Sequence, residues 1–281
     1  MTALSAASSV ASSLRTDVDG PRAVGRTHLL AGKRLLVTGV ITESSIAYSV
    51  ARVAQEQGAQ IVLTGFGRGL QITERIARRL PGRAPVVELD VTDPDQLTSL
   101  PTRLGEHVHQ VDGVLHAIAY APPTALGGHF LETDWADVGT ALHVSTYSLA
   151  ALCRAVLPML GNPASVVALG FDPSVAWPSY DWMGVAKSGL ESCARYLARD
   201  LGPRGVRVNV VSAGPLRTMA ARSVPGFDRI QDTWDERAPL GWDVRNAEPV
   251  ARTCAALMSD WLPATTGTII FADGGASTQL L

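Results

Sequence analysis

Short runs of apolar, largely β-branched residues alternate along this chain with longer stretches whose apolar positions recur at helical spacing. Seven runs, at 34–37, 60–63, 85–89, 113–117, 165–168, 206–211 and 268–271, have the length and unbroken hydrophobicity of strands buried on both faces of a parallel sheet. Helical stretches separate them, notably 45–57 (closed by Gly58), 135–160, 182–201 and 249–259. This alternation predicts an α/β fold, a doubly wound, Rossmann-like seven-stranded parallel sheet in a single domain, with ligand bound beyond the carboxyl ends of the strands. Residues 216–239 break the rhythm. They follow Gly214-Pro215 and mix Met219, Val224, Pro225, Phe227 and Ile230 with charged residues, which predicts either a lid over an apolar substrate or a plain pair of surface helices.

Composition narrows the class. With 46% hydrophobic and 18% charged residues the chain of 281 is too apolar to be disordered, and no run of uncharged apolar residues is long enough to span a bilayer. A net charge of -2 gives no overall basic field for nucleic acid or an anionic membrane. Cys153, Cys193 and Cys254 form no CxxC pair and have no histidine at zinc-ligand spacing, so a reducing, cytoplasmic setting and no metal are expected. His107 and His109 read as surface residues. The Ala- and Ser-rich stretch 1–29 is expected to be a flexible tail ahead of one folded domain spanning 30–281. Only Lys33 and Lys187 among 24 basic residues are lysine, and a lysine kept against that bias points to chemistry that needs a compact ammonium.

The candidate chemistry sits after the strands. Gly39, directly after the first strand, permits a tight turn, and Ser44 or Ser45 can cap the helix beginning near Ile46, whose free N–H groups suit a pyrophosphate. The GxGxxG fingerprint is absent. After the second strand, Thr64-Gly65-Phe66-Gly67-Arg68 lacks the acidic residue that commonly binds an adenosine ribose. Asp90, after the third, either reads an adenine amino group or caps the next helix. The fourth ends in His116-Ala117-Ile118-Ala119-Tyr120, with small residues that let a flat ligand approach the backbone. Tyr180 and Lys187 lie seven residues apart, nearly two helical turns, on one face at the start of a helix. A nearby ammonium is expected to favour phenolate character in Tyr180. Ser145 and His143 have no acid to complete a triad, there is no GxSxG elbow, and the six tryptophans read as packing or subunit contacts.

From about residue 30 onward the chain resembles the NADH-dependent enoyl-acyl-carrier-protein reductases, a divergent branch of the short-chain dehydrogenase/reductases, and among them the long-chain branch that serves mycolic acid synthesis. The matching stretches are 39–47, 51–60, 63–66, Phe171-Asp172-Pro173-Ser174, 180–187, Ala213-Gly214-Pro215 and 260–267. The spacing is specific: ordinary members of the superfamily use Tyr-x3-Lys, a lysine position held here by Gly184, whereas the enoyl reductases use Tyr-x6-Lys. The resemblance implies hydride transfer from NADH to an enoyl thioester in fatty acid synthesis. Tyr180 would donate to the enolate oxygen, Lys187 would hold the nicotinamide ribose, and Phe171 would wall the reacting double bond. It further implies that Gly39, Ser45, Ile46, Phe66, Asp90, Val91, Ala119, Lys187, Leu216 and Thr218 line the dinucleotide. Met183, Met219 and Trp242, with Tyr180, would border the acyl chain, and the protein would be a homotetramer.

The chain also departs from that pattern. Ala117 and Ala119 replace the serine and glycine of the family's His-Ser-Ile-Gly, Gly170 precedes Phe171 where a bulkier or acidic residue is expected, and the lid is shorter. Arg68 lies within reach of a 2′-phosphate, which keeps NADPH as an alternative cofactor. The competing functions are a specialised-metabolism reductase acting on a tethered enone or ketone, and a non-enzymatic dinucleotide-binding protein. Acyl carrier protein or coenzyme A would carry the substrate.

Overall fold

The computed structural model describes residues 28–279, apart from the side chain of Asp235, so residues 1–27 of the expected tail and the apolar Leu280-Leu281 end lie outside the described residues. The strands are β1 (Arg34–Val37), β2 (Gln60–Gly65), β3 (Val86–Glu88), β4 (Val111–His116), β5 (Leu160–Gly170), β6 (Val206–Ala213) and β7 (Ile269–Ala272). The helices are α1 (Ile46–Glu56), α2 (Gly67–Ala77), α3 (Pro94–Gly105), α4 (Trp135–Leu142), α5 (Ser148–Val156), α6 (Asp181–Leu201), α7 (Met219–Arg222), α8 (Phe227–Arg237) and α9 (Glu248–Met258). All strand pairs are parallel, in the order β3-β2-β1-β4-β5-β6-β7. The expected Rossmann-like sheet is therefore present.

Side chains alternate across each strand, so both faces of the sheet become core. From β1, Leu35 and Val37 join an apolar cluster with α1 and α9, while Leu36 joins one with α3, α5 and α6 on the opposite face. The chain winds outward from β1 to β3, then crosses to β4 and winds the other way. This reversal opens a crevice between the carboxyl ends of β1 and β4. Among the described residues no helix is long and apolar enough to cross a membrane.

Two expectations need correction. The helix expected over 135–160 is interrupted by a π turn at His143–Tyr147, and the chain is already in β5 at Leu160. Polar residues explain the interruption: Ser145 bonds to the backbone of Tyr120 and Thr146 Oγ1 donates to the Ala186 carbonyl, drawing an extra residue into the turn. The cap of α3 is also not Asp90. Asp93 accepts from the amides of Asp95 and Gln96, while Asp90 closes a local turn onto Thr92.

At the amino edge of the sheet Asp112 accepts from Arg34 Nε at 2.6 Å, Arg34 Nη2 at 2.9 Å and the Arg34 amide at 2.8 Å. Burial opposes ionisation of Asp112, but the Arg34 donors outweigh it and hold the carboxyl below its ordinary range. Asp112→Ala, which strands the Arg34 guanidinium, is expected to lower stability by about 3 kcal/mol at neutral pH in urea titrations. Because the folded-state carboxyl is the more acidic, its contribution is complete above about pH 4 and is lost as pH falls through the depressed value. The gap between wild type and variant then closes in acid.

Candidate active site

The carboxyl edge of the sheet brings the sequence-predicted residues together. Thr38, at the end of β1, is fully buried; its hydroxyl donates to the Leu115 carbonyl at 3.0 Å and accepts from the Ala117 amide at 2.9 Å. Next comes Gly39, at φ +79°, where a Cβ would lie 2.1 Å from the Ala117 carbonyl oxygen. Only glycine fits this cradle. Ser45, not Ser44, caps α1 by accepting from the Tyr48 amide, which leaves the Ile46 and Ala47 amides without a partner among the described residues and no acidic side chain in the first turn.

Further along the edge, Phe66 stands at the start of α2 with a ring exposed by 55%. Asp90 uses one carboxylate oxygen on Thr92, and Val91 beside it is buried. Ala119 is exposed in the loop after β4. Beyond β6, Leu216 is buried and Thr218 caps α7 through the Ala221 amide. These positions all follow carboxyl ends of strands and offer free amides, a carboxylate and a flat aromatic, groups of the kind a dinucleotide needs.

The reactive pair lies deeper. Lys187 is buried, and its ammonium donates to the Leu169 carbonyl at 2.9 Å, leaving two of its three N–H groups unused by the described residues. Burial pushes its pKa down to about 8. The expected phenolate character of Tyr180 is not met: burial raises its pKa above the ordinary value, so the hydroxyl stays protonated and available as a donor. No described residue bonds to that hydroxyl. Phe171 meets Tyr180 edge to face, with centroids 5.3 Å apart.

Behind Phe171 stand two tryptophans that sequence reasoning read only as packing. Trp177 and Trp234 each lie 5.5 Å from the Phe171 ring and 5.0 Å from each other, centroid to centroid. Their indole N–H groups are spent on the Asp172 and Asp273 carbonyls, so the wall presented to the site is apolar. Trp234 comes from the expected lid, which forms as α7 and α8. The available signal was the Ile230/Trp234 spacing, one helical turn of buried apolar residues. Of the other substrate candidates, Met219 is exposed on α7, and Trp242 donates to the Pro215 carbonyl. Met183 packs inward against Ala121, Ala125, Leu126 and Ala141.

His116, at the end of β4, is also buried. Ser148 Oγ donates to the Val144 carbonyl, so it accepts from His116 Nε2 at 2.8 Å, and Nδ1 is left deprotonated with no partner. Burial, then the charge of Lys187, pushes its pKa down to about 3. One cation thus sits among neutral groups.

A family model described as enoyl-(acyl carrier protein) reductase matches residues 39–277. An NADH enoyl-acyl-carrier-protein reductase of Mycolicibacterium smegmatis is 49% identical over 269 residues, covering 91% of this chain and 100% of that protein. The corresponding protein of Mycobacterium avium is 49% identical over 266 residues, 90% of this chain and 99% of its own. One from Neisseria meningitidis is 38% identical over 256 residues, 90% of this chain and 97% of its own.

Lys187 lends itself to a direct test. Its folded-state pKa lies below the unfolded value of about 10.4, so the unfolded chain binds more protons between the two. The stability of wild type relative to Lys187→Met should be flat below about pH 8 and rise toward pH 10, read from urea titrations across that range.

Proposed function

The chain belongs to the enoyl-acyl-carrier-protein reductase family, and from that premise we propose that it reduces the trans-2 double bond of an enoyl thioester carried on acyl carrier protein, in cytoplasmic fatty acid synthesis. NADH, when bound, supplies the hydride that adds at C3 of the substrate. The observation that carries this reading is Tyr180 meeting Phe171 edge to face within an apolar wall, its hydroxyl unpartnered among the described residues, with buried Lys187 seven residues on along α6. As C3 accepts hydride, the double-bond electrons move toward the thioester oxygen, and C2 is protonated afterwards. Tyr180 donates its hydrogen bond to that oxygen, where the negative charge develops in surroundings with little water to screen it. Phe171, Trp177 and Trp234 exclude water from the reacting carbons.

Lys187 directs its two free N–H groups to the ribose hydroxyls of the nicotinamide half. Gly39, Ser45 and the free Ile46 amide at the start of α1 would receive the pyrophosphate, and Ala119, Leu216 and Thr218 would flank it. Phe66 stacks on adenine while Asp90 and Val91 hold its edge. The absence of a lysine beside Phe66 favours NADH over NADPH. Met219 and Trp242 border the acyl chain, with Met183 supporting Tyr180 from behind.

We also propose a homotetramer. The layer of α4, the π turn and α6 exposes Trp135, Tyr147, Val185 and Tyr196, and β7 leaves its outer edge unpaired beside exposed Phe271 and Trp261, two separate surfaces suited to burial between copies. Sedimentation equilibrium should return four times 29.7 kDa. A monomer at micromolar concentration would refute this.

Tyr180→Phe should lower kcat/KM for a medium-chain trans-2-enoyl thioester by about 10²- to 10³-fold while leaving NADH affinity nearly unchanged. Loss of NADH absorbance gives the first and fluorescence titration the second. Wild-type turnover in the variant would sink the assignment of Tyr180.

A further inference from the structure

Tyr180 sits between two non-glycine residues with left-handed backbones, Ser179 at φ +60° and Asp181 at φ +41°. Each conformation is unfavourable for a side-chain-bearing residue and persists only where neighbouring structure enforces it. Together they set the direction in which the intervening Tyr180 side chain leaves the backbone. If either residue relaxed to an ordinary conformation, the phenol would swing away from Phe171.

The enforcing structure is the loop after β4. Gly127 and Gly128, both at φ +93°, present successive amides to this segment. The Gly127 amide donates to the Ser179 carbonyl at 3.0 Å, and the Gly128 amide donates to Asp181 Oδ2 at 2.5 Å. At the next residue, Trp182 Nε1 donates to the Phe130 carbonyl at 3.0 Å, and the two rings stack with centroids 4.5 Å apart. Of these ties, the Asp181 carboxylate makes the one that is charge-assisted and made by a side chain, so it can be removed without touching the backbone.

We propose that Asp181 is a positioning residue for Tyr180: by holding the Gly128 amide it locks the left-handed backbone that aims the Tyr180 hydroxyl. The inference rests on reading Tyr180 as the donor to the thioester oxygen. Asp181 touches neither substrate nor cofactor and acts through the geometry of its neighbour.

The test compares Asp181→Gly with Asp181→Asn in the full-length protein, alone and combined with Tyr180→Phe. Glycine adopts a positive φ freely, so Asp181→Gly folds without strain but lacks the acceptor. Asparagine tolerates the same φ and keeps an acceptor oxygen. With a medium-chain trans-2-enoyl thioester, Asp181→Gly should lower kcat by about tenfold to a hundredfold. NADH affinity should not move, and Asp181→Asn should recover most of the loss. In the Tyr180→Phe background Asp181→Gly should have no further effect on kcat, because the group it aims is gone. Wild-type kcat in Asp181→Gly, or an equal fall with and without the Tyr180 hydroxyl, would overturn the proposal. Should Tyr180→Phe itself turn over like wild type, the reading of Tyr180 falls, and the positioning role falls with it.

Discussion

The turn after β1 approaches the end of β4 more closely than any side chain would allow, and the arrangement at the carboxyl edge follows from that approach. Gly39 supplies the backbone conformation and the missing Cβ, while the Thr38 hydroxyl joins the two strand ends by donating to one and accepting from the other. These strands flank the point where the winding of the sheet reverses, so the crevice there is as deep as the backbones permit. A larger residue at 39 would push α1 away from β4. The free amides of α1 would then no longer face the same space as Lys187 and Tyr180.

Electrostatics at this edge are governed by burial more than by pairing. Lys187 is desolvated and has a carbonyl, not a carboxylate, as its partner; His116 is held neutral, and Tyr180 keeps its proton. Surface ion pairs elsewhere, such as Lys33 with Asp260, are ordinary solvated contacts. A buried ammonium with two unused donors is costly to leave unsatisfied, so Lys187 is poised to take polar acceptors.

Much of this was legible in the sequence, because each strand is a short unbroken apolar run and those runs mark the strands of a parallel sheet well. Strand ends were less legible. β2 continues to Gly65, β5 to Gly170 and β6 to Ala213, small residues that carry no hydrophobic signal yet occupy positions where the backbone must pass close to a neighbour. At Gly170 a Cβ would meet Val210 Cγ1 at 2.8 Å, which accounts for the glycine where a bulkier residue was expected. The π turn was not legible because its cause, the contacts of Ser145 and Thr146 with distant backbone, has no periodic signature in the sequence. Ser145 looked bland for a related reason: its partner is the Tyr120 backbone, and backbone partners have no letter in the sequence. Trp177 and Trp234 were visible as tryptophans, but their meeting over Phe171 depends on two separate segments converging, the loop after β5 and α8.

The two short helices over the site are fastened unequally. Trp234, on α8, is buried and its indole N–H is committed to the Asp273 carbonyl near the end of the chain, while Arg237 reaches the Gln279 carbonyl. α7 is one turn long, buries no residue and is held at its start by the Thr218 cap. α8 is thus anchored to the end of the sheet, whereas Met219–Arg222 is secured by its cap and its chain neighbours and forms the loosest part of the segment.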